Sequence, residues 1–183
     1  MTYTSAHIKK FINSLEKGKI FSTRDVLIHG SRTAVDQCLC RLVKQEIIIR
    51  LARGLFMRHD FDVSLPSTHV LALAKAKAFG KQIVSHNKEL GGEFSYLIGG
   101  RSSSFRTRDN QVIHFKATSP RKMYLGDSPV GLAIRNLWHQ GKYLCDQYAL
   151  EAVTLRFNRL ERQKLRQSAH IMPAWLNHLI NHY

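Results

Sequence analysis

The sequence predicts an α+β protein, on three observations. Apolar residues recur at helical spacing through residues 4–46. A β-branched run, Ile47-Ile48-Ile49, then opens extended segments, which return near residues 83, 96 and 113. Glycines and prolines at 18, 30, 54, 66, 80 and 129 fall where one pattern gives way to the next.

From Thr4 to Lys19, Ile8, Phe11, Ile12 and Leu15 make one apolar stripe, and Gly18 is expected to end that helix. Ser22 can cap a second, short helix with Asp25 three residues on, as in a capping box; Val26, Leu27 and Ile28 supply its apolar content before His29-Gly30. Ser31 can cap a third helix from Arg32 to about Glu46. Val35, Cys38, Leu39 and Leu42 form its buried stripe, leaving Arg32, Thr33, Asp36, Gln37, Cys40, Arg41 and Lys44 outside. The extended run from Ile47 to Met57 folds back near Arg53-Gly54 as a hairpin. Two short helices joined by a tight turn and followed by a hairpin with a basic tip make a winged helix-turn-helix, whose third helix enters a major groove.

Of the 183 residues, 44% are apolar and 22% charged, which argues against disordered and fibrous classes. The length suits one or two domains. Lys and Arg number 28 against 13 Asp and Glu, leaving +15. Such a charge attracts polyanions, either nucleic acid or an anionic membrane. The membrane alternative is disfavoured, because no apolar run approaches the ~20 residues of a spanning helix. The first residues, Met1 to His7, lack a signal peptide's basic stretch and apolar core, and three cysteines form no disulfide framework. A cytoplasmic protein is expected, with Cys38, Cys40 and Cys145 as buried or semi-buried thiols. The charge is +6 over residues 1–60, +6 over 61–140 and +3 over 141–183, so it rides on folded segments rather than on a tail.

The candidate DNA-binding residues are Ser31, Arg32, Thr33, Asp36, Gln37, Arg41, Lys44, Arg50 and Arg53. Arginine and lysine here can pair with phosphates, and arginine can read guanine edges bidentately. Asp36, whose carboxylate repels phosphate, is expected to orient Arg32, one turn earlier. Arg58 adds to the basic count of this stretch. The alternative is a winged helix that serves protein contacts, with a merely solvated basic face.

The stretch Phe21-Ser22-Thr23-Arg24-Asp25 … Gly30 to Ile48 … Arg53-Gly54-Leu55-Phe56 resembles the AbiEi-type antitoxins, winged-helix proteins of bacterial abortive-infection and toxin–antitoxin loci. The pattern is carried by Leu39, Arg41-Leu42, Ile47-Ile48 and Arg53-Gly54-Leu55-Phe56. A second match runs from Ser119-Pro120-Arg121-Lys122 through Leu125-Gly126 to Gly131–Lys142, similar to the segment that closes the family's second domain. Together these cover about residues 20–142. Two departures stand out. Glu46 replaces a usual glycine, which predicts a differently built turn, and Phe56 replaces a usual tyrosine with its aromatic packing role kept. The resemblance implies a repressor that silences its own operon through inverted repeats, as a homodimer or by cooperative binding. It further implies that the chain counters a nucleotidyltransferase-like toxin.

Pro66 marks the next boundary, giving expected domains 1–62 and 66–142 with a helical extension over 143–183. His69 to Phe79 is expected to be a helix with Lys75 and Lys77 outside, ended by Gly80. Residues 83–85, 94–98 and 112–116 read as strands, and Gly99 to Ser104 as a plain loop rather than a phosphate loop, since no Gly-Lys-Ser/Thr ending follows. Pro129 to Gln140 reads as a helix with Leu132, Ala133, Asn136 and Leu137 on one face. Cys145 to Arg166 is expected to be helical, with Leu150, Val153, Phe157 and Leu160 on one face. Arg159, Arg162 and Arg166 lie opposite, either solvated or as a second DNA contact. Pro173 opens a last short helix. The ten histidines show no metal spacing and no nucleophile motif appears, so neither an enzyme nor a cofactor is expected. Two other functions compete with the repressor: an RNA- or ribonucleoprotein-binding module, and a nucleic-acid-processing enzyme dependent on His86 or His114.

Overall fold

The computed structural model describes residues 3–59, 62, 64–86 and 94–182, and shows a mixed α+β protein with two sheets. The chain divides into two compact units, residues 1–83 with 103–115, and residues 84–102 with 116–183. These units do not coincide with the expected segments. Residues 68–78 and 103–115 pack with the first unit, and the C-terminal helices share a core with residues 116–140. Of the expected boundary at 62–66, residue 63 lies outside the described ones.

The first unit opens with helix α1 (Tyr3–Ser14) and strand β1 (Ile20–Ser22), followed by helix α2 (Thr23–Val26) and a 3-10 turn over Leu27–His29. Helix α3 (Arg32–Lys44), strands β2 (Ile48–Ala52) and β3 (Leu55–Arg58), and helix α4 (Thr68–Ala78) follow. The capping box forms as expected, with the Asp25 carboxylate accepting from the Ser22 N–H at 2.7 Å and its hydroxyl at 3.0 Å. Ser31 caps α3 by accepting from the Ala34 N–H, and Val35, Cys38, Leu39 and Leu42 are its buried stripe, as the periodicity predicts. They join Ile8, Ile12, Phe21, Val26, Ile48 and Phe56 in one core. Phe56 stacks on Phe21 with ring centroids 5.7 Å apart, which gives the aromatic at that position its packing role.

Helix α1 ends at Ser14, short of Gly18. The Ser14 hydroxyl takes the Phe11 carbonyl, and the Arg58 guanidinium takes those of Asn13 and Leu15, so the freed carbonyls are satisfied without another helical turn. Arg58 is thereby committed to α1 and is not available to the basic face.

The first sheet has the order β1-β3-β2 and is antiparallel throughout. Phe21 pairs with Phe56, and Arg50 with Phe56 from the other side, with a register shift between Arg50 and Ala52. The hairpin turns at Arg53-Gly54, where Gly54 takes a φ of +76° that side chains disfavour. The turn into β2 keeps a left-handed residue although no glycine is present, with Glu46 at φ 57°. The expectation of a differently built turn is therefore corrected: Glu46 adopts the geometry that glycine would. Glu46 is exposed, so little opposes a change there. Glu46→Gly is expected to raise stability by about 0.5–1 kcal/mol, seen as a higher urea midpoint at constant slope; a lower midpoint would contradict this.

Helix α4 buries Leu71, Ala72 and Ala76, leaving Val70, Leu73 and Phe79 largely exposed. Strand β6 (Ser103–Arg106) and strand β7 (Val112–Thr118) form an antiparallel hairpin over residues 103–115. Ser103 and Ser104 thus lie in a strand rather than in the expected loop.

The second unit holds β5 (Ser95–Gly99) and the last two residues of β4 (Ile83–Ser85), and the second sheet has the strand order β4-β5-β7-β6 with β4 at an edge. Helices α5 (Pro120–Tyr124), α6 (Pro129–Gln140), α7 (Gln147–Thr154), α8 (Arg159–Gln167) and α9 (Ala174–Asn181) follow. The expected continuous helix over 145–166 is instead two helices. Asn158 caps α8 through the Glu161 N–H while Glu161 reaches back to the Asn158 N–H, which starts a new helix there. The break turns Leu160 outward, 69% exposed, and Leu165 inward beside Leu150. On α6, Val130, Ala133, Ile134 and Leu137 are the buried apolar residues, while Leu132 points out. Arg135 is buried there. It donates to the carbonyls of Gly126 and Ser85 and pairs with Asp127 at 3.3 Å, so its charge is met on three sides. Among the described residues no helix is long and apolar enough to cross a membrane.

Candidate nucleic-acid interface

A groove of about 430 Å³ lies between α3 and the β2–β3 hairpin. Arg32, Asp36, Cys40 and Lys44 line it from the helix, and Arg50, Arg53 and Gly54 from the hairpin. The spacing 32, 36, 40 and 44 repeats every four residues, so these side chains share one helical face. Arg50 reaches the groove from β2, and Arg53 stands at the hairpin turn. Leu39, Val43 and Phe56 form the apolar floor.

Arg32 and Asp36 form an ion pair of 2.8 Å through Nε, with the Arg32 side chain mostly in solvent and that of Asp36 about half exposed. The orienting role expected of Asp36 is thus present in the geometry. The pair adds ~0–1 kcal/mol at most, and it leaves the two terminal nitrogens of Arg32 free of Asp36.

Five of the nine candidate residues are gathered in this groove: Arg32, Asp36, Lys44, Arg50 and Arg53. Thr33, Gln37 and Arg41 sit on the adjoining exposed face of α3, where Arg41 Nε donates to the Gln37 carbonyl at 3.4 Å. Ser31 is occupied as the helix cap. Arg159, Arg162 and Arg166 are all exposed on α8, in the second unit, with Arg162 Nε donating to the Phe157 carbonyl. Cys38 and Cys145 are buried as expected, but Cys40 is exposed, because position 40 lies on the groove face and not on the core stripe.

The sequence pattern missed Lys75. Its spacing on α4 predicts solvent, but it is half-buried and its ammonium donates to the Arg53 carbonyl at the hairpin tip. It also lies over the rings of Phe105, at 5.4 Å, and Phe79, at 5.7 Å. Burial first, and then the charges of Arg53 and Arg50, hold the Lys75 pKa below the ordinary lysine range. The charged form is therefore disfavoured in the fold, and this group makes stability grow as pH rises from its folded pKa toward its unfolded one. Nothing in the spacing of residues 68–78 marks Lys75, since its partner is a backbone carbonyl 22 positions away.

Among the described residues no group of three or more His, Cys, Asp or Glu is placed to hold a metal ion. The groove offers cations and hydrogen-bond donors over an apolar floor, which suits it to binding phosphates and base edges. The profile of a family described as of unknown function, DUF6088, matches residues 7–165. No curated protein matches the chain.

Proposed function

The chain belongs to the DUF6088 family, and we propose that it is a sequence-specific DNA-binding transcriptional repressor built on a winged helix-turn-helix. The observation that carries this reading is the single groove in which Arg32 and Lys44 of α3 face Arg50 and Arg53 of the hairpin. In this reading α3 enters the major groove, with Arg32, Thr33, Gln37 and Arg41 toward base edges and backbone. The β2–β3 hairpin is the wing, and Arg50 and Arg53 hold phosphates. Asp36 fixes the direction of Arg32. The chemistry requires binding only, with no reacting group and no cofactor.

The resemblance to AbiEi-type antitoxins extends the proposal to an antitoxin that represses its own operon in the bacterial cytoplasm and counters a nucleotidyltransferase-like toxin. One α3 reads one half-site, so an inverted repeat takes two copies, as a dimer or bound cooperatively. Arg159, Arg162 and Arg166 are proposed as a second backbone contact.

Competition separates this reading from a structured-RNA module. The chain is bound to a labelled duplex taken from the region upstream of its gene, and unlabelled tRNA or random duplex is added. A repressor releases that duplex to itself far more readily than to random DNA or tRNA. Equal or better displacement by tRNA overturns the proposal.

A further inference from the structure

Residues 103–115 stand about fifty positions after the β2–β3 hairpin, yet they fold into the same compact unit. Strands β6 and β7 pair from Ser103 with Phe115 to Arg106 with Val112, and the turn between them spans Thr107–Asn110. That turn is well tied. The Thr107 N–H donates to the Gln111 carbonyl, its hydroxyl meets the Asp109 carboxylate, and Asn110 takes a φ of 66°.

The turn is joined by backbone to β2. An antiparallel bridge pairs Ala52 with Thr107, and the Arg108 N–H donates to the Leu51 carbonyl at 2.8 Å. Arg53 and Arg106 each adjoin that bridge. Arg50 and Arg108 line one depression of about 250 Å³, together with Glu46 and His59. All four arginines are exposed. Among the described residues no carboxylate forms an ion pair with any of them: Asp109 is engaged by Thr107, and Glu46 lines the depression beside Arg50 and Arg108 without pairing with either. Four unneutralised guanidinium groups on two stitched hairpins repel one another, and a polyanion laid across them removes that penalty.

We propose that the β6–β7 turn is a second wing. Arg106 and Arg108 bind backbone phosphates of the same DNA duplex, next to those held by Arg50 and Arg53, and so lengthen the contact beyond a single winged helix. This rests on the DNA-binding reading above. Phosphates suit the place because the side chains come from turn and strand ends, with no helix to enter a groove.

The test uses the full chain carrying Arg106→Ala and Arg108→Ala, with duplex binding followed by fluorescence anisotropy between about 50 and 200 mM salt. Each lost phosphate contact lowers the slope of log K against log salt by about 0.9. The pair is therefore expected to flatten the slope by nearly two and to weaken binding about 30-fold near 0.15 M salt. The backbone bond from residue 108 to Leu51 survives both changes, so the thermal midpoint should stay put. Arg108→Glu alone should weaken binding further than Arg108→Ala. If the wild type binds the duplex and both variants keep its slope and affinity, the second wing is wrong and the DNA-binding reading stands. If the wild type shows no salt-dependent duplex binding, both fall.

Discussion

Gly131→Ala is expected to cost the second unit about 3 kcal/mol or more, enough to lower its unfolding transition by many degrees. Gly131 lies in the first turn of α6, where its N–H donates to the Ser128 cap at 3.1 Å. A Cβ there would collide with the carbonyl oxygen of Leu125, with the Leu125 carbonyl carbon at 2.8 Å and the Gly126 oxygen at 2.9 Å. These are backbone atoms, so no rotamer change relieves the clash. The same loop supplies the Gly126 carbonyl that satisfies buried Arg135, so displacing it also uncovers a charge. Calorimetry or urea unfolding followed in the tryptophan signal reads the effect directly, since Trp138 and Trp175 both pack against the second unit's core. An unchanged transition would mean that α6 does not approach the 125–126 backbone as described.

Arg50→Ala with Arg53→Ala is expected to weaken duplex binding on the order of 30-fold near 0.15 M salt and to flatten the salt slope by nearly two. The loss should be similar on operator and random DNA, because phosphate contacts position the protein without reading sequence. Arg32→Ala should behave differently. It sits on α3 and is held by Asp36, so its loss is expected to cost about 1–3 kcal/mol on the operator and much less on random DNA. Both side chains of the wing pair are exposed, so folding is a small factor in the comparison. A double variant with wild-type slope would remove the hairpin from the interface.

Where local spacing decides an element, the sequence was readable. Helix α3, its Ser31 cap, its four-residue buried stripe and the turn at Arg53-Gly54 all follow from periodicity and turn chemistry. What escaped depends on partners distant in sequence. Strand β1 is three residues long and exists because Phe21 pairs with Phe56. Strand β6 has a serine-rich sequence with little strand propensity and is held by pairing with β7. The C-terminal apolar spacing runs through the break at Asn158, so a cap outweighed a continuous stripe. Lys75 and Arg58 each turn toward backbone carbonyls brought in by another element, and no one-dimensional pattern marks that. The same holds for the candidate site. Its α3 and hairpin residues were legible, while the approach of Arg106 and Arg108 was not, because it is created by the bridge between Ala52 and Thr107 and the Arg108 N–H bond to the Leu51 carbonyl.

If α3 and its hairpin read a DNA operator, a footprint at base resolution on the duplex upstream of the gene shows it most directly. The expected pattern is two protected blocks related by inversion, centred about one helical turn apart or a multiple of it. Protection should fade in the Arg32→Ala variant before it fades in the wild type as protein is diluted. Uniform or absent protection, with no symmetric pair of blocks, would contradict the account.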